Sequence, residues 1–104
     1  MSWHNHVDFV HDLIRGADPA PGAWTTVNGK KLQLFGSKKH PVRTFGAVKG
    51  KIGEITEIGA ESMRITAQGG QIEVSKVRYD EGQKVSAAQF CLDHGVASQT
   101  LLGE

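Results

Sequence analysis

The stretch Leu13-Ile14-Arg15-Gly16-Ala17-Asp18-Pro19-Ala20-Pro21-Gly22-Ala23-Trp24-Thr25 divides the chain into two regimes. Pro19 and Pro21 each lack a backbone N–H and fix φ, so no helix passes through them. Each also pushes the residue before it towards extended backbone. The residues ahead of this break carry a helical period, and those from Ala23 to Tyr79 carry strand character. The chain is therefore expected to place one helix in front of a β domain.

The spacing predicts a helix over 5–15, with Val7, Val10, Leu13 and Ile14 forming one apolar stripe. Asn5 suits its N-cap and Asp8 the positive first turn, while Arg15 suits the negative last turn. Gly16 is expected to stop the helix, and Trp3 to fold back on the stripe as a staple. After the prolines, Trp24–Val27 and Lys31–Phe35 flank Asn28-Gly29, a pair suited to a type I′ hairpin turn, which needs positive φ at both central residues. Residues 36–46 read as a polar, basic loop around Pro41. A third strand is expected from Ala47 to Ile55, punctuated by Gly46, Gly50 and Gly53. Met63, Ile65 and Ala67 alternate in a fourth, and Gly69-Gly70 turns the chain. Ile72, Val74, Val77 and Tyr79 mark a fifth, whose change of phase near Ser75 suggests a bulge. Ser86-Ala87-Ala88-Gln89 is a capping box opening a short helix that stops near Gly95.

One helix, five short strands and one short helix predict a mainly β fold with flanking helices. The OB-like open five-stranded barrel is the arrangement with that strand number. At 104 residues this is one domain, expected over 2–95, with a disordered tail over 96–104. Cys91 is the only cysteine, which rules out an internal disulfide and points to a reducing, cytoplasmic setting. No apolar run approaches the length of a membrane span, so no membrane partner is expected.

The net charge of +1 hides an asymmetry. No acid occurs between Asp18 and Glu54, while that span holds Lys30, Lys31, Lys38, Lys39, Arg43, Lys49 and Lys51. The acids gather later, at Glu54, Glu57, Glu61, Glu73, Asp80 and Glu81. A one-sided field suggests an anionic partner such as RNA; a solvated sheet face is the alternative. Lysines meet phosphates as point charges with little sequence preference. Trp24, Phe35 and Phe45 interleave with them, but aromatics are only 7% of the chain, so contact with a nucleic-acid backbone is expected rather than base stacking.

Reactive constellations are sparse. His4, His11 and Asp8 share one helix face, but zinc needs three or four converging ligands, and a polar surface face explains them. Cys91 lies between Phe90 and Leu92 with no base facing it, which reads as a buried structural thiol. No nucleophile elbow and no phosphate-binding glycine loop is present; Gly50-Lys51-Ile52-Gly53 precedes no helix.

Val10-His11-Asp12-Leu13-Ile14-Arg15-Gly16, Pro21-Gly22-Ala23-Trp24-Thr25 and Lys31-Leu32-Gln33-Leu34-Phe35 resemble the opening of the C-terminal domain of formyltransferases. Val77-Arg78-Tyr79-Asp80-Glu81-Gly82-Gln83-Lys84-Val85-Ser86-Ala87-Ala88-Gln89-Phe90 is similar to that domain's closing strand, turn and final helix. The resemblance covers about residues 2–92 and takes in methionyl-tRNA formyltransferase and the hydrolase module of 10-formyltetrahydrofolate dehydrogenase. It implies an OB-like domain without catalytic residues, partnered by a Rossmann-like N-terminal catalytic domain that binds 10-formyltetrahydrofolate. That domain would hold an asparagine, a histidine and an aspartate; the adjacent Asn5 and His6 do not match its Asn-x-His pattern. Met1 is then expected to be an added start of an excised domain, with a natural stand-alone protein as the alternative. The resemblance implies interdomain or near-site roles for Arg15, Pro21, Gly22 and Trp24, against local roles in the helix end, the turn and the core. It also implies a positively charged tRNA surface, or one for another anionic acceptor, over Lys30–Lys51. The formyl acceptor itself, water, aminoacyl-tRNA, amino-sugar or peptide, is left open.

Overall fold

The computed structural model of the chain describes residue 3 and residues 6–17, 23–27, 29–41, 51–80, 82–97 and 100–103. Helix α1 (Val7–Ala17) is followed by strands β1 (Ala23–Val27), β2 (Lys30–Pro41), β3 (Ile55–Ile58), β4 (Met63–Ala67), β5 (Gly70–Tyr79) and β6 (Lys84–Ser86). Helix α2 (Ala87–His94) closes the order. The sheet runs β1-β2-β5-β4-β3, antiparallel at each described pairing. β4 pairs the first half of β5, and β6 pairs the second half on the same side. The fold is thus mainly β with a helix at each end, an open five-stranded OB-like sheet carrying one further short strand.

α1 begins at Val7, and its first turn is capped by His6, whose Nδ1 accepts the Asp8 N–H at 3.1 Å. The expected cap, Asn5, lies outside the described residues. The helix runs through Gly16 to Ala17, so the glycine does not end it; the proline pair lies outside the described residues. Val7, Val10 and Ile14 are fully buried, whereas Leu13 sits at the stripe's margin, 39% exposed. Each fully buried aliphatic side chain contributes roughly 1.5–3 kcal/mol. The exposed Arg15–Asp12 pair at 3.2 Å adds at most about 1 kcal/mol, so docking rather than charge holds α1.

β1 and β2 form the expected hairpin: Val27 pairs with Lys30 across a two-residue loop, with Gly29 at φ +77°. β2 then continues to Pro41, pairing Ser37–Pro41 with β5, where a basic loop was expected over 36–46. Gly36 allows this. At φ +65° it takes the left-handed conformation, and Ser75 Oγ, which donates to its carbonyl at 3.1 Å, fills the space a Cβ would need. The expected bulge at Ser75 is therefore absent: register is unbroken from Phe35–Lys76 to Ser37–Val74, and the change of face is made by the Gly36 kink without an inserted residue.

Residues 51–53 turn, and β3 starts only at Ile55, later than expected; the earlier part of the predicted third strand lies outside the described residues. Among the described pairings, the register shifts between Ile55 and Glu57. The β4–β5 turn is Gln68-Gly69, with Gly70 already paired in β5, one residue before the expected Gly69-Gly70. α2 forms as predicted, with Ser86 Oγ accepting the Gln89 N–H at 3.1 Å and Gly95 left-handed at its end.

The core gathers Trp3, Val7, Val10, Ile14, Leu32, Leu34, Ile55, Met63, Ile65, Ile72, Val74, Val77 and Phe90. The region expected as a disordered tail contributes to it. Val96 and Leu102 are buried, the Ile55 N–H donates to Thr100 O at 2.8 Å, and the Leu102 N–H donates to Gly53 O at 2.8 Å. The Gly103 N–H donates to Thr26 O at 2.7 Å, so residues 100–103 lie in the gap between β1 and the start of β3. Trp3 covers this segment, packs against Gly53 and Gly103, and donates from Nε1 to Thr25 Oγ1 at 3.0 Å.

Candidate functional site

Directly paired residues of an antiparallel sheet project to the same face. The register therefore sets Trp24, Gln33, Arg78 and Lys84 in one row across β1, β2, β5 and β6, facing away from the core. Phe35, Lys76 and Ser86 form the next row, and Thr26 with Lys31 the row on the other side. Trp24 is 46% exposed, and the Lys31 ammonium lies 5.4 Å from the centre of its ring. Phe35 is only 4% exposed because Lys84 lies over it, Nζ 3.9 Å from the ring centre. Arg78 Nε donates to Gly82 O at 2.7 Å, which fixes the guanidinium at the strand's end. Lys31, Lys76 and Lys84 have no carboxylate partner among the described residues.

The other half of the same outer face is charge-balanced. Lys38, Glu73, Arg64 and Glu57 alternate in sign across β2, β5, β4 and β3. Arg64 Nε lies 3.5 Å from Glu57 and 3.7 Å from Glu73. Glu73 accepts from His40 Nε2 at 2.8 Å and from Ser62 Oγ at 3.0 Å. A carboxylate only accepts, so His40 carries its proton on Nε2. These hydrogen bonds, His40 first, hold the Glu73 carboxyl below the usual range. A shallow polar groove of about 340 Å³ lies over Glu57, Ser62, Arg64 and Glu73. An apolar groove of about 500 Å³ runs between Ile58 and α2, flanked by Cys91, Leu92 and Val96.

The described members of the basic set singled out from the sequence, Lys30, Lys31, Lys38, Lys39 and Lys51, do not share one face. Lys30 pairs with Asp80 at 3.5 Å and Lys39 with Asp8 at 3.0 Å, so acids from outside the acid-free span neutralise two of them. The Lys39 hydrogen bond also lowers the Asp8 pKa. Lys31 joins the Trp24 face, Lys38 the balanced half, and Lys51 is exposed in the turn before β3. Arg43 and Lys49 lie outside the described residues, as do Pro21 and Gly22. Arg15 is on the exposed side of α1, paired with Asp12. Trp24 is on the outer face rather than in the core. Lys76, Arg78 and Lys84 were missed because they lie late in the chain, where the acids are; only pairing β5 with β2, and β6 with β5, brings them to Trp24.

Cys91 is buried, 3.9 Å from Met63 Sδ, and burial pushes its thiol pKa up, as for a structural thiol. His11 hydrogen-bonds Ser37 at 2.8 Å and so ties α1 to β2. Among the described residues, no three His, Cys, Asp or Glu side chains converge as metal ligands.

A small open β sheet with a helix at each end, its outer face cationic in one half and charge-balanced in the other, defines an OB-like domain. The particular family follows from comparison: residues 1–95 match the formyl transferase C-terminal domain, and the chain belongs to that family. It is 29% identical over 103 residues to the methionyl-tRNA formyltransferase of Syntrophus aciditrophicus (strain SB), covering 99% of this chain and 32% of the relative. It is also 29% identical over 98 residues to the mitochondrial 10-formyltetrahydrofolate dehydrogenase of Homo sapiens, covering 86% of this chain and 10% of that protein. The crystal structure of HypX from Aquifex aeolicus in complex with tetrahydrofolic acid superimposes with a TM-score of 0.60 at 28% identity. That superposition covers 75% of this chain and 13% of HypX. The chain thus spans about a third or less of each of these relatives.

Proposed function

We propose that this chain is the non-catalytic C-terminal domain of a 10-formyltetrahydrofolate-dependent formyltransferase or hydrolase. It supports a Rossmann-like N-terminal catalytic domain, which carries the folate, and helps hold the formyl acceptor. The observation that carries this reading is the lopsided match: nearly all of this chain aligns with only 32% of a methionyl-tRNA formyltransferase. The described residues fit a supporting role, since their polar clusters are cross-strand ties rather than a nucleophile with its base. The test is direct. The isolated chain, given 10-formyltetrahydrofolate with water or with a methionyl-tRNA acceptor, neither hydrolyses it nor transfers the formyl group; turnover by the chain alone overturns the reading.

A second reading, that the domain serves as an RNA-binding surface, is favoured by Lys31, Lys76 and Lys84, which stand beside Trp24 and Phe35 and have no carboxylate partner among the described residues. Such binding is weak and falls steeply with salt, because released counterions drive it. Failure of the chain to bind RNA at low ionic strength removes this reading and leaves the first intact.

A further inference from the structure

The two halves of the outer face differ in a way that charge alone does not explain. One half balances its cations with Glu73 and Glu57. The other sets Lys31, Lys76 and Lys84, which have no carboxylate partner among the described residues, around two aromatic rings, together with Arg78, which is tied to Gly82 O; the Lys30–Asp80 pair lies at its margin. Ring and cation are used differently at the two aromatics. Phe35 is covered, so it serves as a seat that positions the Lys84 ammonium. Trp24 is open, and Lys31 lies close to its ring without burying it. The row from Trp24 to Lys84 crosses three strand spacings, roughly 14 Å. Lys76 and Arg78 are two residues apart on β5, roughly 7 Å along the strand.

We propose that this face binds an unpaired stretch of RNA, with one base stacked on Trp24 and the neighbouring phosphates held by Arg78, Lys84 and Lys76. The proposal rests on the RNA reading above and deepens it by assigning the site and the form of the nucleic acid. An acidic peptide would use the cations but not the indole, whose negative ring face repels carboxylates. A duplex would meet the cations with its phosphates but keep its bases in their own stack, leaving Trp24 idle. An unpaired strand uses both: the base lies on the ring, and the backbone crosses to the positive row.

The test uses the full chain and labelled probes: a short oligouridine, an RNA duplex of the same length, and polyglutamate. Oligouridine is expected to bind more tightly than the duplex and polyglutamate. Trp24→Ala is expected to weaken the single strand roughly five- to hundredfold and leave the duplex unchanged, while Trp24→Phe retains most of the affinity. Arg78→Gln with Lys84→Gln is expected to reduce the salt slope by about 0.7 for each phosphate no longer neutralised, while Lys38→Gln with Lys51→Gln leaves it unchanged. Circular dichroism checks that each variant folds; the charge variants and Trp24→Phe report even if Trp24→Ala does not fold. RNA binding that ignores Trp24→Ala, or that depends on Lys38 and Lys51 instead, overturns the assignment of this face while keeping the RNA reading. Tighter binding of polyglutamate overturns it in favour of an acidic protein partner. No binding of either RNA overturns both the assignment and the RNA reading.

Discussion

Glu73 is the side chain on which the balanced half of the face depends. It accepts from His40 on β2 and from Ser62 beside β4, and lies near Arg64 on β4, so three strands meet at one carboxylate. All these partners favour its ionised form and depress its folded pKa. A depressed carboxyl contributes stability above the usual carboxylate range, and that contribution disappears as pH falls through the lowered value. Glu73→Gln keeps the shape but loses the charge. The urea midpoint of this variant is expected to lie below that of the parent at neutral pH and to converge with it at strongly acidic pH. A constant gap across the whole pH range would show that the carboxylate contributes packing alone.

At the scale of elements, what could be read from the chain depended on whether the signal was local. The Asn28-Gly29 hairpin and the Ser86 cap are local, and both stand where the sequence placed them. β2 beyond Gly36 was hidden because its outward residues, Lys38 and His40, are polar and its inward Ser37 and Lys39, paired with Val74 and Ile72, are polar too. A kinked strand whose inward positions are polar reads as a loop. The segment 100–103 was hidden for another reason: Thr100-Leu101-Leu102-Gly103 is too short to show a period, and it is ordered by hydrogen bonds to Gly53, Ile55 and Thr26 that only the folded sheet supplies. Its anchor is Leu102, which is buried. Leu102→Ala is expected to cost about 2–5 kcal/mol, through reduced burial plus the cavity left behind. Hydrogen exchange gives a sharper readout: the Ile55 amide, which donates to Thr100 O, is expected to exchange faster in this variant than the Val77 amide at the sheet's centre. Equal acceleration of both would mean that the segment is part of the global unfolding unit rather than a separately held strap. The candidate site divides the same way, since Trp24 and Lys31 are neighbours by hairpin and could be read, whereas Lys76, Arg78 and Lys84 needed the tertiary register.

At the scale of the whole molecule, the two tryptophans report on opposite sides of the same architecture. Trp3 is buried, donates to Thr25 Oγ1, and packs on Gly53 and Gly103, so its environment exists only when the start of the chain, the β1 strand and the 100–103 segment are together. Trp24 stands on the outer face of β1 and needs only the β1–β2 hairpin and Lys31. One core cluster includes Trp3, both helices and the sheet, which argues for a single cooperative transition. Trp3→Phe and Trp24→Phe variants isolate the two signals. In the native state the Trp24 emission is expected to be quenched readily by acrylamide and the Trp3 emission to be protected. In urea the two transitions are expected to coincide in midpoint and slope, because Trp3 belongs to the same core cluster as the helices and the sheet and donates to Thr25 on β1. A Trp3 transition that precedes the Trp24 transition would instead show that the gap between β1 and β3 opens before the sheet melts. The domain would then have a closed and an open form, both with the outer face intact.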